Sequence, residues 1–158
     1  MQWIENVFDP AVSEGLIAKI EGLSPVAVPL WGRMNVAQML AHCNVTYELV
    51  FENNHKRPNA LKRLLLVGFV KKAVVSEKPY KKNGPTAPEF KVADSRDFAL
   101  EQERLIAYIR RTQVLGKAHF DGLESHSFGV LTAVEWNNMF YKHLEHHLAQ
   151  FGAIKRTL

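Results

Sequence analysis

His143 and His147 have the strongest claim to chemistry in this chain, four residues apart in the run His143-Leu144-Glu145-His146-His147. On a helix, side chains at i and i+4 stand one turn apart on one face, a spacing at which two imidazoles can grip a single metal ion. At about 100° per residue, Trp136, Phe140, His143, His147, Phe151 and Ile154 fall on one stripe, so both histidines hold core-facing positions that leucine would ordinarily fill. Imidazoles placed there need hydrogen-bond partners or a metal, because an unsatisfied buried polar group costs about 1–3 kcal/mol. The run differs from a zinc-peptidase motif. Its only carboxylate, Glu145, stands at the third position facing solvent, so no general base accompanies the pair. A third ligand must come from another segment, and His42 is the best candidate. His146 points to the edge of the stripe beside Met139 and Gln150, as a neighbour of the ligands rather than one of them. Gln150, one turn after His147, is placed to orient a ligand imidazole.

Four helices are expected to position these residues. Asp9-Pro10 supplies an N-cap and a proline at the first helical position, Leu16, Ile17, Ile20 and Leu23 recur at helical spacing, and Ser24-Pro25 closes the element. Asn35 and Gln38 form a capping-box pair ahead of a second helix reaching about residue 52. A third runs from about Ser95 to Leu115 with Gly116 as its stop; the fourth starts at the Thr132/Glu135 capping box and runs through Phe151 to Gly152. No alternating run is long enough to build a sheet. Between the second and third helices, residues 60–75 read as an extra short helix, basic on one side and apolar on the other, and 78–90 is too rich in proline and glycine to be regular. So long a connection suits two parallel helices joined by a crossover, which predicts an all-α four-helix bundle, up-down-down-up. The levels agree: His42 lies seven residues after Asn35, and position 145 lies seven before Gly152, so antiparallel second and fourth helices would bring the histidines together.

The 158 residues fit one domain spanning 1–158, at roughly 100–200 residues per domain. With 47% hydrophobic and 23% charged residues the composition is that of a globular chain. One cysteine, Cys43, excludes an internal disulfide and any CxxC motif, and reads as a small core residue. The longest apolar run, Leu64 to Val70, is far short of the roughly 20 residues that span a bilayer, and Met1-Gln2-Trp3 reads as leading straight into folded sequence, so no leader is expected. A cytoplasmic protein with no membrane partner is the expectation. Net charge is +4, mildly basic and weak support for a nucleic-acid partner. His55, His119 and His126 fall near loops and read as exposed, His126 with the option of capping the site's mouth. Glu48, Glu101 and Glu145 read as solvated helix charges, and Arg110-Arg111, Lys71-Lys72, Lys81-Lys82 and Lys155-Arg156 as solvated surface.

Trp31-Gly32-Arg33-Met34-Asn35 through Gln38-Met39-Leu40-Ala41-His42, Lys78-Pro79-Tyr80 to Pro85-Thr86-Ala87-Pro88, and His126 to Gln150 resemble the DinB-like superfamily, and more narrowly an uncharacterised subgroup of it carrying a similar Phe128-Gly129, Glu135-Trp136 and His143-to-Gln150 pattern. The resemblance covers most of the chain from residue 31 onward and is most specific in the closing segment. It implies a four-helix bundle in which three histidines, here His42, His143 and His147, hold a divalent metal, commonly zinc or nickel. It also implies thiol S-transfer with low-molecular-weight thiols, or hydrolysis, as activities known in the superfamily, on a small-molecule substrate that the resemblance does not identify. It does not imply DNA binding.

Two core-facing histidines on one helix are more often structural than metal-binding, but the third histidine at a matching level and the resemblance favour metal. Three nitrogen ligands leave coordination positions open, as in catalytic rather than structural zinc sites. Imidazoles alone do not select among zinc, nickel, copper and iron. Two rivals stand beside a metal-dependent enzyme. One is a non-catalytic bundle, in one version a homodimer, whose metal serves stability. The other is a binder of nucleic acid or anionic surfaces through the basic crossover from Lys56 to Lys82.

Overall fold

The computed structural model describes residues 3–155; Met1-Gln2 and Arg156 lie outside the described residues. The chain is mostly helical. Its helices are α1 (Pro10–Glu21), α2 (Val36–Phe51), α3 (Ala60–Leu65), α4 (Lys71–Val75), α5 (Phe98–Phe120) and α6 (Ala133–Gln150), with a π-helical turn at Leu66–Val70 and a 3-10 turn at Pro88–Phe90. Two short strands, β1 (Glu124–Ser125) and β2 (Gly129–Val130), pair antiparallel between α5 and α6. This hairpin qualifies the all-α expectation. Two residues per strand are too few to show as an alternating pattern, and the turn is set by Gly129 at φ 75° and by Ser125, whose hydroxyl donates to the Gly129 carbonyl.

The helix starts follow from their caps. Asp9 accepts from Ala11 N, Asp97 from Leu100 N, and Asn59 from Lys62 N. Asn35 with Gln38, and Thr132 with Glu135, form reciprocal capping boxes, which fix where α2 and α6 begin and so which residues of each face inward. Gly116 does not end α5: with φ 74° it kinks the helix, which continues to Phe120. Phe120, fully buried, is what the extension contributes. It packs its ring against Phe8, Trp136 and Phe140.

The core unites α1, α2, α5 and α6 through Leu16, Ile17, Ile20, Leu40, Leu105, Ile109, Phe140 and Leu144. Tyr47 of α2 stacks between Tyr108 and Phe140. Beside this apolar seam runs a polar one. Asn44 donates to the carbonyl and carboxylate of Glu101 at 3.0 and 2.8 Å, and Arg104 bridges Glu101 and Glu48 at 2.9 and 2.6 Å. Glu101 is therefore buried, not solvated, and Glu48 is half-buried and also paired with His55; Glu145, elsewhere on α6, is buried as well rather than solvated. A carboxylate tolerates such burial when cations and amides satisfy it, as they do at Glu101.

The segment 60–75 is helical throughout, as expected, with a π-helical turn at Leu66–Val70 between its two α-helical ends. Its far end is held by a buried cation that the sequence did not mark. Lys142 of α6, fully buried, donates to the carbonyls of Ala73, Val74 and Ser76 at 2.8, 3.1 and 2.6 Å, which closes the C-terminus of α4, and its ammonium lies 4.6 Å from the Tyr80 ring centroid. Burial pushes its pKa down to about 8, so at neutral pH it retains its charge. Lys142→Met keeps the volume and strands the Ala73 and Ser76 carbonyls, while Val74 keeps only the Tyr80 hydroxyl at 3.4 Å. At about 1–3 kcal/mol for a buried group left unpaired, a loss of at least about 2 kcal/mol is expected in urea unfolding, with m unchanged. A loss under about 0.5 kcal/mol would show that the grip carries no stability.

Candidate metal centre

The site forms where the first half of α2 meets the last turns of α6. His42 stands seven residues past the Asn35 cap, and His147 lies in the last turn of α6. The connection ahead of α2 is fastened to the same place. Leu30 N donates to the Gln150 carbonyl at 2.8 Å, and Gln150 Nε2 donates to the Trp31 carbonyl at 2.7 Å.

His42, His143 and His147 converge. One ring nitrogen from each lies within 4.8 Å of the others, and such a group could hold a metal ion. Ring centroids are 4.8 Å apart for His42 and His143, 4.5 Å for His42 and His147, and 4.8 Å for His143 and His147. His42 and His147 are buried and His143 is nearly so. Burial holds all three below the ordinary imidazole pKa, with the neighbouring histidines adding to the shift for His143 and His147; His147 falls to about 3. They are neutral at physiological pH, the state in which imidazole offers a lone pair.

The outward nitrogens are engaged. His42 Nδ1 donates to the Phe90 carbonyl at 2.7 Å, and His147 Nδ1 donates to Gln150 Oε1 at 2.7 Å. A carbonyl can only accept, so in both rings Nδ1 carries the proton and Nε2 keeps its lone pair. His143 Nδ1 lies 2.9 Å from the Thr46 hydroxyl, and its Nε2 lies 2.9 Å from His42 Nε2. Since His42 Nε2 is an acceptor, His143 Nε2 is the donor across that contact, and Thr46 donates to Nδ1. A hydroxyl works either way. If the His143 proton moves to Nδ1, Thr46 accepts it, and a third lone pair turns toward the other two. The same partners thus serve both tautomers, and the second presents three Nε2 lone pairs to one point. Two nitrogens sharing a tetrahedral ion at about 2.0–2.1 Å stand about 3.3 Å apart, so the residues fit the group with shifts of tenths of an ångström at one contact and about 1.5 Å or less at the widest.

His146 stays outside the triad. Its ring lies edge-on to Trp31 and Tyr80, with centroids at 5.7 and 5.8 Å, and 5.0 Å from that of His147. Gln150 sits where it orients His147, as its spacing suggested. Thr46 and Phe90 join the site without a side-chain motif to announce them. Thr46 was findable, because it follows His42 by one turn on the same face; Phe90 acts through its backbone carbonyl, which no side-chain pattern marks. Its ring also covers the site, edge-on to His42 and His143. His55 and His126 are half-buried rather than exposed, hydrogen-bonded to Glu48 and Ser127, whereas His119 is exposed. Cys43, next to His42, points into the core with Sγ 3.7 Å from Met39 Sδ, and burial pushes its thiol pKa up, so it offers no thiolate.

Gly32 has φ 83°, and a Cβ there would stand 2.6 Å from Gln150 Nε2. Gly32→Ala must therefore displace the amide that holds both Trp31 and His147. Losing such an outer hydrogen bond typically costs about 10–100-fold in metal affinity, and that range is expected here in zinc titrations with the helical circular dichroism unchanged. Unchanged affinity would separate Gln150 from the site.

Residues 12–153 match the family model of DUF1569, a protein family of unknown function. The chain belongs to the DUF1569 family. No curated protein and no solved structure matches it. Membership in DUF1569 therefore supplies no activity, and the chemistry rests on the residues.

Proposed function

We propose that this DUF1569 protein is a metal-dependent enzyme whose divalent ion, zinc or nickel, is held by His42, His143 and His147 in an up-down-down-up four-helix bundle of DinB-like type. The observation that carries the reading is the outer set of partners. Phe90, Thr46 and Gln150 each engage an Nδ1, so three buried imidazoles can direct Nε2 at one point. Partners of this kind fix the orientation and basicity of ligand imidazoles. The resemblance of residues 31–42, 78–88 and 126–150 to the DinB-like superfamily supports the same ligand set and extends the reading to hydrolysis or thiol S-transfer on a small molecule, with a low-molecular-weight thiol as one substrate class.

A divalent ion with three neutral nitrogen ligands supplies Lewis acidity, lowering the pKa of a bound water toward 7 or favouring a bound thiolate. Around it the chain's own residues have defined work. Gln150, tethered to Trp31, holds the His147 plane; the Phe90 carbonyl keeps the His42 proton on Nδ1; the Phe90 ring keeps water from His42 and His143 on that side. No carboxylate belongs to the triad, so acid–base steps fall to the substrate's own groups or to solvent.

The reading includes a cytoplasmic setting, a single domain and a homodimer as its expected context. Among the described residues no helix is long and apolar enough to cross a membrane. The test is a turnover screen of zinc- and nickel-loaded protein against simple esters and against low-molecular-weight thiols with an electrophilic acceptor. Metal-dependent turnover that His143→Ala abolishes supports the enzyme. Binding of one metal equivalent with no turnover, and unfolding on chelation, would favour the purely structural bundle, which the burial of His42 and His147 also suits.

A further inference from the structure

A helix that packs on a core turns its apolar stripe inward and its charges outward. Residues 60–72 do the reverse. Leu61, Leu64, Leu65 and Phe69 recur at three- and four-residue spacing and are 69%, 69%, 51% and 81% exposed. The opposite side is fixed to the body by charge: Lys62 pairs with Glu89 at 2.8 Å, Arg63 with Glu124, and Lys71 with Glu135 at 3.3 Å, while Lys142 grips the end of α4. No residue from Ala60 to Val70 is buried. The apolar stripe is thus presented outward by polar anchors, and exposed apolar side chains grouped on one face mark an interaction surface.

The charge around the stripe selects its partner. Residues 54–83 hold nine Lys and Arg against one acidic residue, Glu77; the remainder holds eleven against fifteen. All the net positive charge of the protein is therefore concentrated in the segment that exposes leucine and phenylalanine. Lys56, Arg57, Lys72, Lys78 and Lys81 within it are exposed. Leucine and phenylalanine flanked by basic residues is the chemistry of a helix that lies in the headgroup layer of an anionic bilayer. Nucleic acid would use the cations and leave the apolar stripe unexplained, and two copies meeting face to face would oppose like charge.

We propose that the outward face of residues 60–72 docks on a membrane surface containing anionic phospholipids, without crossing it. The docking is independent of the metal centre. The test is co-sedimentation of the full chain with large unilamellar vesicles of equal parts phosphatidylglycerol and phosphatidylcholine, against phosphatidylcholine alone. Because both side chains are mostly exposed, Leu64→Ser/Phe69→Ser leaves the fold intact, which circular dichroism checks. Expected are binding to the anionic vesicles that is about tenfold or more above the neutral ones, a loss of about tenfold or more in the double variant, and weakening in high salt. Three results would overturn the proposal. They are no binding to anionic vesicles, equal binding by the double variant, and a solution dimer that the same variant dissociates while vesicle binding is absent.

Discussion

His143→Ala and His147→Ala should each lower zinc affinity by well over about 100-fold, more than the roughly 10–100-fold that loss of an outer hydrogen bond costs. Each substitution removes one of three nitrogens and leaves two, which no longer define a site in a packed interior. The flanking groups sharpen the expectation. Without the His143 ring, Thr46 and His42 Nε2 both lose a partner; without the His147 ring, Gln150 Oε1 does. His146→Ala removes a ring that touches Trp31 and Tyr80 from outside the triad, so a change below about tenfold is expected. Isothermal titration with zinc checks all three. Wild-type affinity in both triad variants would remove the ligand assignment, and an equal loss in His146→Ala would mean that the ion sits on another face of α6.

Metal-free protein should lose stability steeply as the pH falls below about 6. His42, His143 and His147 have folded pKa values held below 6.5 by burial, His147 to about 3. In the unfolded chain they titrate near 6.5, so between that pH and the folded values the unfolded state binds more protons. Stability therefore rises with pH through this window, is fully present above about 7, and declines on acidification. Each histidine that stays neutral contributes a slope of up to about 1.4 kcal/mol per pH unit. Urea unfolding with chelator present, from pH 8 to 5, should show a fall that steepens below about 6.5, and His147→Gln should flatten that acid fall. A smaller slope near pH 8 comes from Lys142, whose folded pKa of about 8 lies below its ordinary value. The interval ends above the ordinary carboxylate range, so histidines dominate it. Stability unchanged between pH 7 and 5 would mean that the rings are hydrated and open.

The sequence carried most of what positions the site. The Asn35/Gln38 and Thr132/Glu135 boxes fixed the starts of α2 and α6; from those starts the helical period put His143 and His147 on the inward stripe of α6, and the matched levels together with the resemblance nominated His42 as their partner. What stayed hidden depends on contacts between distant segments. Glu101 looks solvated on its own helix and becomes buried only when α2 brings Asn44 against it and Arg104 closes the pair. Lys142 lies on the same helix as the triad, yet its role arises from three carbonyls near residue 75. Amphipathicity was legible in residues 60–75, but a pattern does not say which side is covered, and here the apolar side is the outer one. The His42 partner is a main-chain oxygen in an irregular stretch, invisible to any reading of side-chain types.

X-ray absorption at the zinc edge, on protein loaded with one equivalent, reads the ligands themselves. Expected are three imidazole nitrogens at about 2.0–2.1 Å with the remaining positions filled by light oxygen or nitrogen atoms, and no sulfur. A shell with one imidazole or none, or with a sulfur from Cys43 at about 2.3 Å, would contradict that ligand set.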